Sequence, residues 1–272
     1  MASVYFWIIF VSRIEHKIML RSIKQLYGDK LGASDGEIGH VKDFYFDDQN
    51  WGIRYVVADT GSWLTGRLVL ISPHSLGRLV QAGKVLRVNL TRKQIENSPS
   101  MGSHLPVGRQ FEEAYHEYYG WPYYWQGDAL WGMSGVPMME LPSPPPSRAS
   151  GSPPQCKDAH LRSTLAVNGY HLQTSDGPLG HVCDFMMDDQ TWGIGQLVIK
   201  TGHRLSGKEV QIPVCNVERI SYEESTVYVH LTSEAVEHSP AHFADAMAEV
   251  VCRRLACCSY SFNPQWGSYK YS

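Results

Sequence analysis

The stretch of this chain that comes closest to a catalytic motif is Asp-Thr-Gly-Ser at positions 59–62. In aspartic proteases two such loops follow apolar strands and bring two carboxylates close enough to share one proton. A second copy of this region exists in the chain, but there Lys200 stands in place of Asp59. One chain therefore cannot assemble the dyad, and only a homodimer could. We interpret Asp59 as the end of a strand that runs into a glycine turn.

Two histidines, His40 and His181, occupy equivalent places in the two copies. A metal site needs three or four converging ligands. The nearest carboxylates in the sequence, Asp43 and Asp184, lie three residues further on, a separation that puts side chains on opposite faces of a strand. We therefore expect these histidines to form structural hydrogen bonds, with no bound metal or cofactor.

The cysteines fall almost entirely in the second half of the chain and none forms a CxxC pair, at positions Cys156, Cys183, Cys215, Cys252, Cys257 and Cys258. Because zinc sites and disulfide frameworks need regular spacing, this pattern favours free thiols in a reducing cytoplasm. Cys183 replaces Lys42 of the first copy at a strand position, where a small packing residue is the simplest interpretation.

Other catalytic and nucleic-acid signatures are missing from the sequence. It has no glycine-rich phosphate loop, GxSxG elbow or HExxH pair, which are the usual signs of common enzyme classes. Its formal net charge is −3, without a run of Lys or Arg. This composition argues against nucleic acid as a main partner. We expect a protein that is not an enzyme.

The chain contains an internal repeat, since residues 35–61 recur as residues 176–202. Subtracting positions, 176 − 35 and 202 − 61, gives one register shift of 141. The shift holds without a gap from Leu20 to Pro99, which correspond to Leu161 and Pro240. A unit of this length is too long for a solenoid repeat and indicates two similar small domains.

The repeated residues resemble the PRC-barrel domain. The matching positions in the first copy are Gly36, 39–41, Asp43-Phe44, Asp47-Asp48, Trp51, 53–60, Trp63 and 69–73. They are most similar to bacterial proteins with two such domains in tandem, labelled photosynthetic reaction-centre H-chain-like. The resemblance covers Met19 to about Trp125 and about Ala159 to Pro240. Relatives such as the cytoplasmic domain of the reaction-centre H subunit and the C-terminal domain of a ribosome maturation factor imply a small β-barrel that docks proteins.

The pattern of β-branched and aromatic residues predicts a mainly β protein. Strands are expected at 38–46, 51–59, 68–71 and 85–90, separated by polar turns such as 47–50. Capping-box spacing at Thr91 and Gln94 predicts a short helix after the last strand. The expected architecture is two tandem small antiparallel barrels, each with a short closing helix. Equivalent structural positions in the two barrels are Gly39, His40, Asp43, Trp51, Gly180, His181, Asp184 and Trp192.

An aromatic segment at 111–125 has no counterpart in the second half. Its aromatic residues at i, i+4, i+7 and i+8 predict a helix with an apolar stripe, ended by Gly120 and Pro122. The opposite face should carry Glu112, Glu113, His116 and Glu117. The segment either docks on a barrel or anchors a partner. Because Tyr and Trp are enriched in interface hot spots, the candidate interface residues are Tyr118, Tyr119, Trp121, Tyr124 and Trp125.

The remaining segments complete the predicted domain plan. An apolar extension at 1–18 is too short to cross a bilayer and has its positive charges on the wrong side for a signal peptide. Because the repeat begins at Leu20, we expect Met19 to be the natural start; a loosely bound extension and a membrane-targeting element are the alternatives. The plan is then a first PRC-like domain at 19–100, the aromatic helix and tail at 101–136, a Pro/Ser-rich linker at 137–158, a second domain at 159–241 and a divergent tail at 242–272.

These observations lead to a non-catalytic interaction or assembly module with an unidentified protein partner. The alternative is a small-molecule or ion-binding regulatory protein that uses the cleft between the barrels. We expect no transmembrane segment and no nucleic-acid partner. Peripheral association with a membrane complex and self-association both stay open.

Overall fold

The computed structural model describes residues 20–77, 85–99, 108–138, 161–202 and 207–237. The extension at 1–18, nearly all of the linker and the tail at 242–272 lie outside these ranges. The chain divides into two compact units, residues 1–169 with 182–197 and residues 170–181 with 198–272. The predicted domain boundaries follow the sequence repeat instead, and they stay a prediction.

The first repeat forms one sheet with the strand order β5-β4-β3-β2-β6. The pairs β2–β3, β3–β4 and β4–β5 are antiparallel, as the sequence predicts, whereas β2 and β6 are parallel. The strands of this repeat are β1 (Leu20–Ser22), β2 (Lys30–Ala33), β3 (Gly36–Asp47), β4 (Ile53–Asp59), β5 (Leu68–Ile71) and β6 (Val85–Arg87).

The second repeat contributes to a sheet with the order β11-β10-β9-β8-β13-β12. Strands β9 and β10 each contain residues assigned to both units, whereas β8 and β11 to β13 belong to the second unit. The strands are β7 (Leu161–Ser163), β8 (His171–Thr174), β9 (Gly177–Asp188), β10 (Ile194–Thr201), β11 (Glu209–Pro213), β12 (Val217–Ser221) and β13 (Thr226–Val229).

Strand β4 is buried on both faces, from Ile53 to Ala58. The sequence predicts this because apolar residues occupy both alternating sets of positions in the strand. Arg54 is a charged residue within this apolar stretch, and it is buried as well, with only 1% exposure. A charged side chain at such a place needs partners inside the protein, and these partners come from the aromatic segment described below.

Neither sheet closes into a complete barrel of paired strands, so the mainly β class is confirmed and the closure of the predicted barrels is not. In the first repeat, the chain after β5 meets the chain after β6 through one bridge, Leu76–Val88, instead of a ladder. The first strand of each repeat also leaves its own repeat. Strand β1 pairs with β9, and β7 pairs with β3.

The α-helices within the described ranges are short: α1 (Arg92–Glu96), α2 (Arg109–Tyr119), α3 (Thr164–Val167) and α4 (Ser233–Glu237). The predicted capping box of α1 is present, with the Gln94 amide donating to the Thr91 hydroxyl and the Gln94 side chain accepting from the Thr91 amide. Helix α2 ends at Gly120, whose left-handed φ of 70° suits glycine. Both helix predictions are therefore confirmed.

The exchange of first strands is reciprocal, and all of its residues belong to the first unit. Leu20 lies opposite Asp188, and Leu161 lies opposite Asp47. The differences 161 − 20 and 188 − 47 both equal the register shift of 141. In each repeat, therefore, the first strand pairs with the long strand of the other repeat, and the paired residues are equivalent in the two cases.

Candidate interaction surface

Helix α2 is oriented differently from the sequence prediction. Glu112 and His116, placed by the pattern on the polar face, are buried at 3% and 1% exposure, while Tyr118 of the predicted apolar stripe is 41% exposed. Tyr115 is buried as predicted. The physical reason is that Glu112 and His116, four residues apart on one face, find hydrogen-bond partners inside the protein.

The Glu112 carboxylate is the centre of a buried polar cluster. It accepts hydrogen bonds from the hydroxyls of Tyr124 at 2.6 Å and Tyr55 at 3.0 Å, and it pairs with Arg109 at 3.1 Å. Burial raises the pKa of Glu112 more than these three partners lower it. Tyr55 lies on β4, so the cluster ties the aromatic helix to the sheet.

Two buried histidines complete the contact between the aromatic segment and the sheet. The Nε2 atom of His116 lies 2.9 Å from the Tyr55 hydroxyl, and its Nδ1 lies 2.9 Å from the Pro122 carbonyl. The His74 ring packs against Trp131 at 4.9 Å. Burial lowers the pKa of His116 to about 3 and that of His74 to about 4. Both imidazoles are therefore neutral near pH 7.

Arg54 is held by an ion pair and by aromatic faces. It pairs with Asp47 at 3.1 Å, donates to the Leu130 carbonyl and lies 4.0 Å from the centre of the Tyr124 ring. Burial alone would raise the pKa of Asp47, but the Arg54 guanidinium and a backbone amide donor outweigh it and keep this pKa below its usual value. The aromatic segment thus covers a buried charge of the sheet.

A buried carboxyl with a raised pKa is often a functional group in an active site. Here, however, Glu112 is directed at partners from its own chain and is 3% exposed. General acid or base catalysis needs contact between the titrating group and a substrate. We therefore assign Glu112 to anchoring the aromatic segment and not to chemistry.

The structure separates the predicted interface residues into two groups. Trp121 and Tyr124 are buried at 4% and 5% exposure, and the Trp121 ring nitrogen donates to the Ser75 hydroxyl at 2.6 Å. Tyr119 is half-buried and stacks on Trp121. Tyr118 is 41% exposed, and Trp125 is half-buried like Tyr119, so these three rings present part of their surface to solvent. Binding of a partner by these residues stays a prediction.

The exposed side of the segment contains further residues that sequence reasoning did not select. Met133 is 89% exposed, and Tyr123 is half-buried beside Trp125, with ring centres 4.8 Å apart. Burial raises the pKa of Tyr123, and the negative charges of Glu117 and Glu113 raise it further. Their spacing of four residues was a signal in the sequence that an acidic helix face stays outside.

The equivalent structural positions have different roles. Gly39 and Gly180 lie where the backbone of the neighbouring strand passes closely, and an added Cβ would come 2.0 Å from the Asp59 carbonyl or 2.2 Å from that of Lys200. His40 and His181 are both exposed. Structural hydrogen bonds at these histidines stay a prediction.

Asp43 and Asp184 each accept hydrogen bonds from the other repeat. Asp43 accepts from the Ser163 hydroxyl at 2.5 Å and the Leu165 amide at 3.1 Å, at the start of α3. Asp184 accepts from the Ser22 hydroxyl at 2.5 Å and from the amide of Lys24 at 2.9 Å. These carboxylates therefore cap helical turns across the strand exchange.

The two tryptophans of the repeat are also equivalent. Trp51 and Trp192 have left-handed φ values of 58° and 57°, which are uncommon for residues other than glycine. In this conformation the Trp192 carbonyl accepts from the Ile53 amide at 2.8 Å, and the Trp51 carbonyl accepts from the Ile194 amide at 2.7 Å. The sequence prediction put Trp51 at the start of a strand, and it lies two residues before the first residue of β4, Ile53.

Three sequence interpretations concern chemistry. Asp59 ends β4 and accepts from the Gly61 amide at 2.9 Å, as expected of a strand end before a glycine turn. Neither Cys183 nor Cys215 is in a disulfide. Among the residues with described positions, no group of three His, Cys, Asp or Glu side chains could hold a metal ion.

The described helices include none that is long and apolar enough to cross a membrane.

Comparison with known proteins identifies one segment. Residues 13–96 match the family described as the PRC-barrel domain. This match lies on the first copy of the repeat and agrees with the resemblance read from its residues. No curated protein matches the chain.

Proposed function

We propose that this protein is a non-catalytic interaction or assembly module built from two PRC-barrel domains in tandem, of the reaction-centre H-chain-like kind. The family match of the first copy supports this proposal, together with the gapless repeat. The long strands β3 and β9 contain 12 residues each and are followed by equivalent turns. PRC-barrel relatives act by docking proteins, which is the role we carry over to this chain.

The observation that carries the proposal is the exposed side of the aromatic segment and of the chain that follows it to Met133, which we call the aromatic-acidic surface. It consists of Glu113, Glu117, Tyr123, Trp125 and Met133. Met133 is exposed to 89%, and no described residue forms an ion pair with either glutamate. An exposed methionine and half-exposed aromatic rings are typical of protein-binding surfaces.

The charge of this surface defines the kind of partner. Two carboxylates one helical turn apart favour Lys or Arg on the bound protein, while the aromatic rings and Met133 favour an apolar side chain between those charges. We therefore propose a basic protein segment with an apolar anchor as the ligand. The surface is rigid because Trp121, Tyr124 and Glu112 attach the segment to the sheet from beneath.

Site-specific photocrosslinking in the native host tests this function. A photoreactive amino acid at Met133 should give one dominant protein adduct, and the same group at exposed Glu223 should not give it. Glu113→Lys with Glu117→Lys should remove the adduct by reversing the charge, whereas Glu113→Gln with Glu117→Gln should weaken it. Equal adduct patterns at positions 133 and 223, or an adduct that survives charge reversal, would contradict the proposal.

A further inference from the structure

The contacts between the two repeats in the first unit are nearly self-complementary. Each first strand brings an arginine and a serine to the other repeat. Arg21 pairs with Asp189 at 3.1 Å and Arg162 pairs with Asp48 at 2.6 Å. The serine hydroxyls donate to the capping carboxylates Asp184 and Asp43, both at 2.5 Å.

A self-complementary surface can bind a copy of itself. Because each repeat carries the arginine, the serine and both carboxylates, these contacts alone would be formed equally well by two first repeats from two chains. The same holds for the backbone bonds at the tryptophan turns, where both repeats supply a carbonyl and an amide. These repeated contacts therefore cannot explain why unlike repeats pair.

At the exchanged strands and the helical turns that follow them, one set of hydrogen bonds breaks this equivalence. Thr164 donates from its hydroxyl to Asp43 at 2.9 Å and accepts from the Tyr27 hydroxyl at 2.8 Å. The residue 141 positions before Thr164 is Ile23, which lies in the corresponding place near Asp184 and has no hydroxyl. Thr164 and Ile23 are each 0% exposed.

We propose that the hydrogen-bonded chain Tyr27–Thr164–Asp43 makes the strand exchange specific for unlike repeats. If two first repeats paired, Ile23 would stand beside Asp43 and the buried carboxylate would lose a donor. The Tyr27 hydroxyl would lose its acceptor at the same time. A buried polar group without its partner is unfavourable, so this pairing is disfavoured at both ends of the exchange.

The two like pairs have to be considered together. Two second repeats would keep the threonine hydroxyl next to Asp184, and this offsets the threonine–aspartate bonds that two first repeats lack. The Tyr27–Thr164 bond is not offset, because the residue of the second repeat that corresponds to Tyr27 is Asn168. Unlike pairing is then favoured for the whole population. The expected preference is roughly tenfold for each Tyr27–Thr164 hydrogen bond that is lost.

The preference can be measured on the full chain carrying a protease site within 141–158. After folding, the linker is cut, the complex is equilibrated in urea below the unfolding transition so that repeats can exchange, and the pairs are counted by native mass spectrometry. We expect the wild type to give unlike pairs almost exclusively. Thr164→Val keeps the shape and removes the hydroxyl, so pairs of first repeats should rise roughly tenfold or more.

Two further variants make the result decisive. Ile23→Val is the matched change at the equivalent position and should leave the ratio of pairs unchanged. Tyr27→Phe removes the same tyrosine–threonine bond from its other end, and it should shift the ratio in the direction of Thr164→Val by a similar factor even if the threonine variant does not fold. A statistical mixture of pairs in the wild type, or a ratio that neither variant changes, would overturn the proposal.

Discussion

The first repeat and the second repeat differ most where the aromatic segment lies on the sheet. Arg54 and Tyr55 of the first repeat correspond to Gly195 and Gln196 of the second. Arg54 has an ion pair and aromatic neighbours, whereas glycine offers no side chain for such contacts. The Tyr55 hydroxyl contacts Glu112 and His116, but neither amide atom of the fully buried Gln196 has a hydrogen-bond partner among the described residues.

The same difference appears at the turn after β5. His74 is buried against Trp131, and its counterpart Cys215 is exposed. The exchange contacts, in contrast, are equivalent in the two repeats except at Thr164. The comparison shows that duplication retained strands, turns and caps, while the side chains that receive the aromatic segment became specific to the first repeat.

Replacing Arg54 tests the largest of these differences. Arg54→Met should destabilise the protein by about 3–5 kcal/mol, because Asp47 remains buried without its cation. The free energy of unfolding, from urea denaturation, measures the effect. Arg87→Met, at an exposed arginine of β6, is the control and should change stability by less than about 0.5 kcal/mol. Equal effects of the two substitutions would show that the covered charge does not stabilise the first repeat.

Removing the Tyr55 hydroxyl should have a smaller effect. Tyr55→Phe is expected to cost about 1–3 kcal/mol, since Glu112 and His116 both lose a partner in a buried site. The control is Tyr228→Phe, which removes an exposed tyrosine–glutamate hydrogen bond to Glu224 and should leave the melting temperature unchanged. A neutral Tyr55→Phe variant would mean that the cluster does not anchor the aromatic segment.

Acid should selectively weaken the first repeat. The folded-state pKa values of His74, about 4, and His116, about 3, lie below the unfolded value near 6.5. The unfolded state therefore binds more protons, and stability is lost as pH falls from about 6.5 towards 4. Burial raises the pKa of Glu112, so this carboxyl acts in the opposite direction, because its folded form takes up a proton before its unfolded form as pH falls.

His74→Gln is the variant that tests this assignment. It should reduce the dependence of the melting temperature on pH between about 6.5 and 5, because one buried proton acceptor is gone. His181→Gln changes an exposed histidine and should retain the wild-type dependence. If both variants behave alike, the buried histidines are not the cause of acid sensitivity.

The smallest expected effect has the opposite sign. Gln196→Leu should leave stability unchanged or raise it by about 1 kcal/mol, because an amide without hydrogen bonds is replaced by an apolar side chain of similar size. Gln196→Glu should lower stability, since it buries a charge at the same place. A clear loss of stability in Gln196→Leu would indicate that the amide has a partner and that the two repeats are more alike here than the described residues show.

Part of the candidate surface could be predicted from the sequence. The position of helix α2 followed from the aromatic spacing, and its end followed from Gly120 and Pro122. The burial of the Glu112 and His116 side chains could not be predicted, because their hydrogen-bond partners come from β4 and from the turn at 122–124. An amphipathic pattern assigns every glutamate to the exposed face of a helix. Burial of a glutamate becomes favourable only where the folded protein supplies hydrogen-bond partners.

The sequence by itself determined the features that depend on nearby residues. These are the repeat, the long strands, the Asp47 turn, in which the carboxylate accepts from the Gln49 amide, and the capping box of α1. Tertiary structure alone decided where the first strands pair and what the repeated carboxylates do. Asp43 and Ser163 are 120 positions apart, and no local pattern shows that one binds the other. A capping carboxylate has the same local signature whether its helix is adjacent or in the other repeat, so only the folded chain distinguishes the two.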